Sequence, residues 1–282
     1  MTTKEKQSIK AKLAAYCEQK GSQNKAAKSL NDVSAATVSQ ILGDNWDLIS
    51  DDMWRNVGAQ VGYDRREWNV VPTRGYTKMY RVLGDAQDNS LVIAVVGDAG
   101  CGKTEAVRCY TSQNRNVYHL LCSEYWNRKL FMAELLQSLG IDNGGTVGEM
   151  MADAVQALKK KDCPLIILDE ADKLSDQVLY FFITMYNKLE DQCGILLTAT
   201  DYLEKRIRRG VRNSRKGYKE IYSRIGRKFV TIPLANAGDI SAICEANGVN
   251  DRTNIRQIID DSDCDLRRVK RLVYALKLTE ED

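Results

Sequence analysis

The feature that most constrains the fold is a glycine-rich stretch that directly follows a short apolar run. Residues 91–96 are all apolar and read as a buried strand. The next eight residues fit the pattern G-x-x-x-x-G-K-[ST] at every fixed position: Gly97, Asp98, Ala99, Gly100, Cys101, Gly102, Lys103 and Thr104. A strand, a glycine turn and a helix start let backbone N–H groups surround phosphate oxygens. The sequence therefore predicts an α/β fold with a phosphate-binding loop.

A second motif supplies two adjacent carboxylates. Apolar residues 165–168 end in Asp169 and Glu170, as if a buried strand delivered both to the carboxyl edge of the sheet, where ligands bind. Lys103 is expected to reach the β- and γ-phosphates of ATP, and Thr104 and Asp169 to hold Mg²⁺. Glu170 is expected to orient and deprotonate the attacking water, which favours hydrolysis over nucleotide binding alone.

Composition narrows the class of protein. The 282 residues carry a net charge of only +3, so any nucleic-acid surface must come from local clustering. The eight cysteines form no C-x-x-C pair, and the single histidine, His119, cannot complete a zinc pattern. The sequence favours a structural over a catalytic place for His119, and we assign it no functional role. The polar start is unlike a signal peptide, and no apolar run reaches transmembrane length. We expect a soluble cytoplasmic protein with no membrane partner.

Alternation of strands and helices predicts a mainly parallel, three-layer sheet. We divide the chain into a helix-turn-helix domain (1–65), a linker (66–76), the ATPase core (77–234) and a helical lid (235–282). Strands are expected at residues 91–96, 117–122, 165–169, 194–200 and 229–234.

The helical block at the start of the chain contains two short helices around residues 31–34. Ser34 is a candidate N-cap of the second helix, and Val38 and Ile41 are expected in the core. Thr37 and Gln40 are then exposed on a recognition helix short enough to enter a major groove. The pattern resembles phage-repressor-type helix-turn-helix domains. A helical bundle used for protein contact is the alternative.

The order of the motifs resembles that of the AAA+ ATPases over residues 75–282. The segments I-I-L-D-E-A-D-K-L, L-L-T-A-T-D-Y-L and Y-S-R-I-G-R-K-F look like the transposition-regulator branch, the family of the phage Mu B protein and TnsC. The resemblance implies a homo-oligomeric ring or helical filament with active sites between subunits. Its implied partners are duplex DNA, bound largely without sequence preference, and a transposase.

The resemblance also implies roles for three further residues. Thr200 aligns with the polar residue that senses the γ-phosphate, with Thr198 as the alternative. Arg224 falls where such ATPases place an arginine finger that acts in trans, and Arg227 is a neighbouring candidate. Arg267 aligns with the lid arginine that contacts the phosphates, although the glycine that usually precedes this motif is absent here.

Two segments suit a DNA backbone. Residues 203–231 hold eleven lysines and arginines against two glutamates, a net of +9, and Gly210, Asn213 and Gly217 predict a mobile loop there. Residues 125–129 place aromatic side chains beside basic ones. The expected DNA contacts are Arg128, Lys129, Lys205, Arg208 and Arg209, with Thr37 and Gln40 from the helix-turn-helix. A solvated surface around an inter-subunit arginine finger is the alternative reading.

The sequence thus favours an ATPase that assembles on duplex target DNA and directs a transposase. A helicase loader and an ATP-responsive helix-turn-helix transcription regulator are the alternatives. A nucleotide-switched signalling protein without DNA fits less well, because of the basic segment.

Overall fold

A computed structural model describes residues 1–64 and 68–281. Its centre is a five-stranded sheet in the order β2-β3-β4-β1-β5, in which every neighbouring pair is parallel. The strands are β1 (Val92–Val96), β2 (Val117–Leu121), β3 (Leu165–Asp169), β4 (Gly194–Ala199) and β5 (Phe229–Thr231). The predicted α/β class with a parallel sheet is confirmed.

Helices precede the sheet, cover both of its faces and follow it. Before β1 lie α1 (Thr3–Lys20), α2 (Gln23–Ser29), α3 (Ala35–Leu42), α4 (Asp51–Gln60) and α5 (Arg74–Asp88). Between the strands lie α6 (Lys103–Gln113), α7 (Arg128–Leu139), α8 (Val147–Lys159), α9 (Asp176–Leu189), α10 (Asp201–Arg212) and α11 (Tyr218–Arg224). After β5 come α12 (Ala237–Ala246), α13 (Arg252–Ser262) and α14 (Leu266–Glu281). No helix among the described residues is long and apolar enough to cross a bilayer.

The strand register brings the two sequence motifs together. Apolar side chains of α5 and α6 form one core with the sheet, and those of α7 to α11 form another on the opposite face. Strands β3 and β4 are fully buried between these layers, which explains their unbroken apolar sequences. Val96, at the end of β1, pairs with Ala199, while Asp169 ends the neighbouring β3. The phosphate loop and the acidic pair therefore open at one edge of the sheet.

The first four helices form the predicted all-α block. The Ser34 hydroxyl accepts the Thr37 N–H at 3.0 Å and so caps α3, while Val38 and Ile41 are fully buried. Thr37 and Gln40 on the same helix are only partly exposed. The block also packs on the ATPase core. The Lys20 ammonium donates to the Ser138 carbonyl at 2.7 Å, and the Gln137 amide donates to the Asn31 side chain at 2.6 Å.

Part of the segment predicted as a linker packs against the lid. Residues 65–67, where this segment begins, lie outside the described residues. Trp68 and Val71 pack against the apolar core of α12 to α14. The Asn69 N–H donates to the Asn247 side chain at 2.8 Å, and the Asn247 amide donates back to the Asn69 carbonyl at 3.0 Å. Helix α5 starts at Arg74, inside the segment 66–76 predicted as a linker, because Thr73 caps it.

Of the three residues predicted to interrupt the helix in segment 203–231, Asn213 and Gly217 do bound a short connection between α10 and α11. The two helices occupy most of the segment, so the predicted loop is confined to this connection. Gly210 lies inside α10, where its missing side chain leaves room for the Tyr218 ring. Both residues are buried. A glycine read from sequence as a breaker is therefore a close-packing site between α10 and α11.

Replacing Gly210 with alanine should lower the free energy of unfolding by about 2 kcal/mol, since the new methyl group would overlap the Tyr218 ring. Gly84→Ala, inside α5, is the matched control: its methyl group would meet only the Tyr110 hydroxyl, at 4.0 Å. That change should raise stability by up to about 1 kcal/mol. Urea denaturation of both variants measures the difference, and equal effects would contradict the packing described here.

Candidate nucleotide site

The phosphate loop connects β1 to α6 and has its expected backbone geometry. Gly100 and Gly102 adopt φ angles of 78° and 91°, a region that favours glycine. A side chain at Gly100 would also overlap the Asp265 carboxylate of the lid. The Lys103 ammonium donates to the carbonyls of Gly97 at 2.7 Å and Asp98 at 3.0 Å. The lysine thus lies folded back along the loop, at the start of helix α6.

Asp169 is buried and held by several donors. Its side chain is 1% exposed. Oδ1 accepts the Glu170 N–H at 3.0 Å and the Thr198 hydroxyl, and Oδ2 lies 3.3 Å from Nε2 of His119. Burial acts to raise the pKa of Asp169, but hydrogen bonds from His119, Thr198 and Thr104 together outweigh it, so the pKa is lowered. An ionised carboxylate beside the Thr104 hydroxyl is a donor set suited to Mg²⁺.

The contact between His119 and Asp169 was not foreseen in the sequence analysis, which assigned the histidine no functional role. The histidine lies in β2, two residues before the strand position that pairs with Asp169. Nothing in the composition or spacing marks this histidine. The only available signal was its place on the strand next to β3, and strand order is not readable from one sequence.

Glu170 follows β3 in a left-handed conformation with φ 57° and ψ 41°. For a residue with a side chain this conformation costs about 1 kcal/mol or more, and such residues concentrate at functional sites. Its carboxylate is 35% exposed and lies 2.5 Å from the Lys173 ammonium, whose pKa it raises. Glu170 therefore lines the cavity, and its neighbour there is the Lys173 ammonium rather than apolar side chains.

The two candidate threonines have different environments. Thr198 is fully buried, and its hydroxyl holds Asp169. Thr200 comes directly after β4 and lines the cavity, and its hydroxyl donates to Oδ2 of Asp172 at 2.6 Å. Of the two hydroxyls, that of Thr200 is the one placed to meet a bound ligand. Its role as phosphate sensor stays a prediction.

The lid closes directly on the phosphate loop. The Leu266 N–H, at the start of α14, donates to the Gly100 carbonyl at 3.0 Å, and Arg267 and Lys270 line the cavity. The preceding residues, Asp263 and Cys264, take φ angles of 52° and 60°. Both residues thus adopt the left-handed conformation that favours glycine.

These elements enclose one cavity of about 540 Å³, a size typical of small-molecule and cofactor sites. Its polar side carries the phosphate loop, Asp169, Glu170 and the lid cations, and its apolar side carries Trp68, Val71 and Tyr76. No group of three or more His, Cys, Asp or Glu side chains among the described residues could hold a metal ion. A Mg²⁺ ion at Thr104 and Asp169 would therefore need phosphate oxygens and water as its remaining ligands.

Arg224 lies outside the cavity of its own chain. Its guanidinium stacks 4.8 Å from the centre of the Tyr186 ring and lies 3.6 Å from the Glu190 carboxylate. Arg227 is exposed and has a φ of 57°. An arginine finger at either position would have to serve a neighbouring subunit.

The residues predicted to bind DNA fall into two classes. Lys205 pairs with Asp201 at 2.5 Å, and Arg208 pairs with Glu204 at 2.7 Å. By contrast, Arg128, Lys129 and Arg209 are exposed and have no carboxylate within 4.0 Å among the described residues. Among the five lysines and arginines predicted to contact DNA, these three have charges that no ion pair within residues 1–64 and 68–281 offsets.

Two neighbours of these residues are structural. Arg206 is only 15% exposed; it donates to the Leu174 carbonyl at 2.7 Å and to the Asp176 carboxylate. The charge of Arg206 is thus neutralised by Asp176 within the fold, which reduces the free positive charge of residues 203–231. Trp126 is buried and packs edge-on against Phe131, whereas Tyr125 is 76% exposed.

Comparisons with known proteins identify relatives of this chain. The model of the AAA domain family matches residues 86–207. The Mu-like prophage FluMu DNA transposition protein B of Haemophilus influenzae is 24% identical over 77% of this chain and 77% of its own length. The ATP-dependent target DNA activators B of Escherichia phages D108 and Mu are 25% and 24% identical. They match 67% and 64% of this chain, which spans 60% and 56% of their lengths.

A crystal structure of a DNA replication initiation factor shares the fold. Its TM-score is 0.51 at 18% identity, over 74% of this chain and 63% of the other. The expected resemblance to the AAA+ transposition regulators is confirmed by the relatives with named functions.

Proposed function

We propose that this chain, which contains an AAA domain and is a homologue of the transposition proteins B of Mu-like phages, is an ATPase that marks target DNA for transposition. In its ATP-bound state it assembles on duplex DNA, and hydrolysis releases it. The observation that carries the ATPase part is one cavity lined together by Lys103, Thr104, Asp169, Glu170 and Arg267. The role in transposition rests on the relatives, two of which are named as ATP-dependent target DNA activators.

In the proposed mechanism each cavity residue has a separate role in ATP hydrolysis. On ATP binding, Lys103 would leave the loop carbonyls and donate to the β- and γ-phosphates instead. The N–H groups at the start of α6 would contact the phosphate oxygens. Thr104 and Asp169 are the side chains that would hold Mg²⁺, which would supply positive charge to the phosphates. Glu170 would accept a proton from the attacking water.

Two arginines complete the site. Arg267, at the start of α14, lines the cavity and would contact the phosphates, so that bound ATP keeps the lid closed. Arg224 would stabilise the transition state in a neighbouring subunit, since it lies outside its own cavity. Hydrolysis then depends on assembly.

DNA binding would use phosphate contacts from exposed cations, without base readout. Arg128→Glu combined with Lys129→Glu should weaken ATP-dependent binding of random-sequence duplex at least about 10-fold and lower the salt slope by about two. The matched control, Arg252→Glu with Arg256→Glu, reverses two exposed charges on α13 of the lid and should change neither value. Fluorescence anisotropy at several salt concentrations measures both, and identical behaviour of the two double variants would contradict this surface.

A further inference from the structure

The only histidine of the chain lies against the buried carboxylate of the proposed site. His119 is in β2, its side chain is 16% exposed, and its Nε2 is 3.3 Å from Oδ2 of Asp169. It is not among the residues that line the cavity. We therefore expect His119 to affect a bound nucleotide through its contact with Asp169 and not by direct contact.

The hydrogen bonds around Asp169 show what His119 contributes. Oδ1 already accepts both the Glu170 N–H and the Thr198 hydroxyl, so that side of the carboxylate is held by two donors. On the other side, the His119 ring holds Oδ2. Thr104, at the start of α6, lines the same cavity as this carboxylate. Loss of His119 would leave Oδ2 without its partner on β2, in a place nearly closed to water.

We propose that His119 is a positioning residue that fixes the plane of the Asp169 carboxylate, so that it meets the Mg²⁺ of bound ATP beside Thr104. The inference rests on the proposed function, in which the cavity binds ATP with Mg²⁺. A carboxylate that is free to turn about its bond would meet the ion in the correct orientation only part of the time. Partners that orient a metal ligand in this way contribute roughly 10- to 100-fold to metal affinity.

The test compares two replacements at one position. Glutamine can place an N–H donor close to where Nε2 lies, whereas leucine fills similar space without a donor. Binding of a fluorescent ATP analogue is measured in EDTA and across a Mg²⁺ titration, and thermal melting confirms folding. His119→Leu should bind nucleotide like the wild type in EDTA but need about 10-fold more Mg²⁺ for half-saturation. His119→Gln should restore most of the wild-type Mg²⁺ midpoint.

Other results of this experiment would contradict either the positioning role of His119 or nucleotide binding itself. A folded His119→Leu variant with the wild-type Mg²⁺ midpoint would overturn the proposal, as would an equal loss of binding with and without Mg²⁺, which marks a packing role. If the leucine variant does not fold, His119→Asn takes its place; the shorter amide cannot reach Oδ2 and should show the Mg²⁺ defect that glutamine does not. If the wild-type protein itself bound no nucleotide, the proposed function would fail first, and this inference with it.

Discussion

Glu170→Gln should lower the steady-state rate of ATP hydrolysis by roughly 10²- to 10⁴-fold, the usual contribution of a general base. The amide keeps the shape of the side chain but cannot accept the proton of water. ATP binding should be nearly unchanged, because in the proposed site the phosphates would be held by the loop, Lys103 and Arg267, which line the same cavity. The variant should therefore remain in the ATP state and stay bound to DNA.

Phosphate release and dissociation from DNA after ATP is added measure the two effects. The control is Glu220→Gln, an exposed glutamate of α11 outside the cavity, which should hydrolyse ATP at the wild-type rate. Normal turnover by Glu170→Gln would show that another group activates the water. Asp172, which also lines the cavity and accepts the Thr200 hydroxyl, would then be the next candidate.

Arg224→Ala should lower hydrolysis by about 10³- to 10⁵-fold, the range measured for arginine fingers. The affinity of a single chain for ATP should not change, since Arg224 is not part of its own cavity. To serve a neighbour, the guanidinium must leave the Tyr186 ring and Glu190. Arg227→Ala removes an exposed arginine three residues away and should have little effect.

A mixing experiment separates a finger from a structural arginine. Glu170→Gln subunits should bind ATP and assemble without hydrolysing it, and they keep Arg224, so adding them to Arg224→Ala subunits should restore part of the activity. Absence of any restoration, with both variants folded and able to assemble, would contradict action in trans. A lowered melting temperature of Arg224→Ala alone would indicate that its contacts with Tyr186 and Glu190 stabilise the chain.

Local motifs carried most of the sequence prediction. The pattern from Gly97 to Thr104 and the pair Asp169–Glu170 each combine an apolar strand with chemistry at its end, so both fold and site follow from a short window. Ser34 was likewise identifiable as a cap, because capping depends on residues within one turn. Parallel pairing then places strand ends at one edge without further information.

What the sequence could not show depends on contacts distant in the chain. His119 meets Asp169 only because β2 lies beside β3. Trp68 packs against the lid, and the adjacent Asn69 hydrogen-bonds to Asn247, which is 178 positions away. Gly210 was read as a helix breaker because its partner, the Tyr218 ring, belongs to another helix. Local charge counting likewise overestimated the basic segment, since the ion pair between Arg206 and Asp176 forms only in the fold.

Assembly on DNA is the central claim, and electron microscopy of the purified protein tests it most directly. The protein is imaged with a slowly hydrolysed ATP analogue and with ADP, each with and without random-sequence duplex DNA. We expect rings or helical filaments on DNA with the ATP analogue and few or none with ADP, with Arg224 at the subunit interface. Monomers under all conditions, or single molecules bound at one specific sequence, would contradict the account.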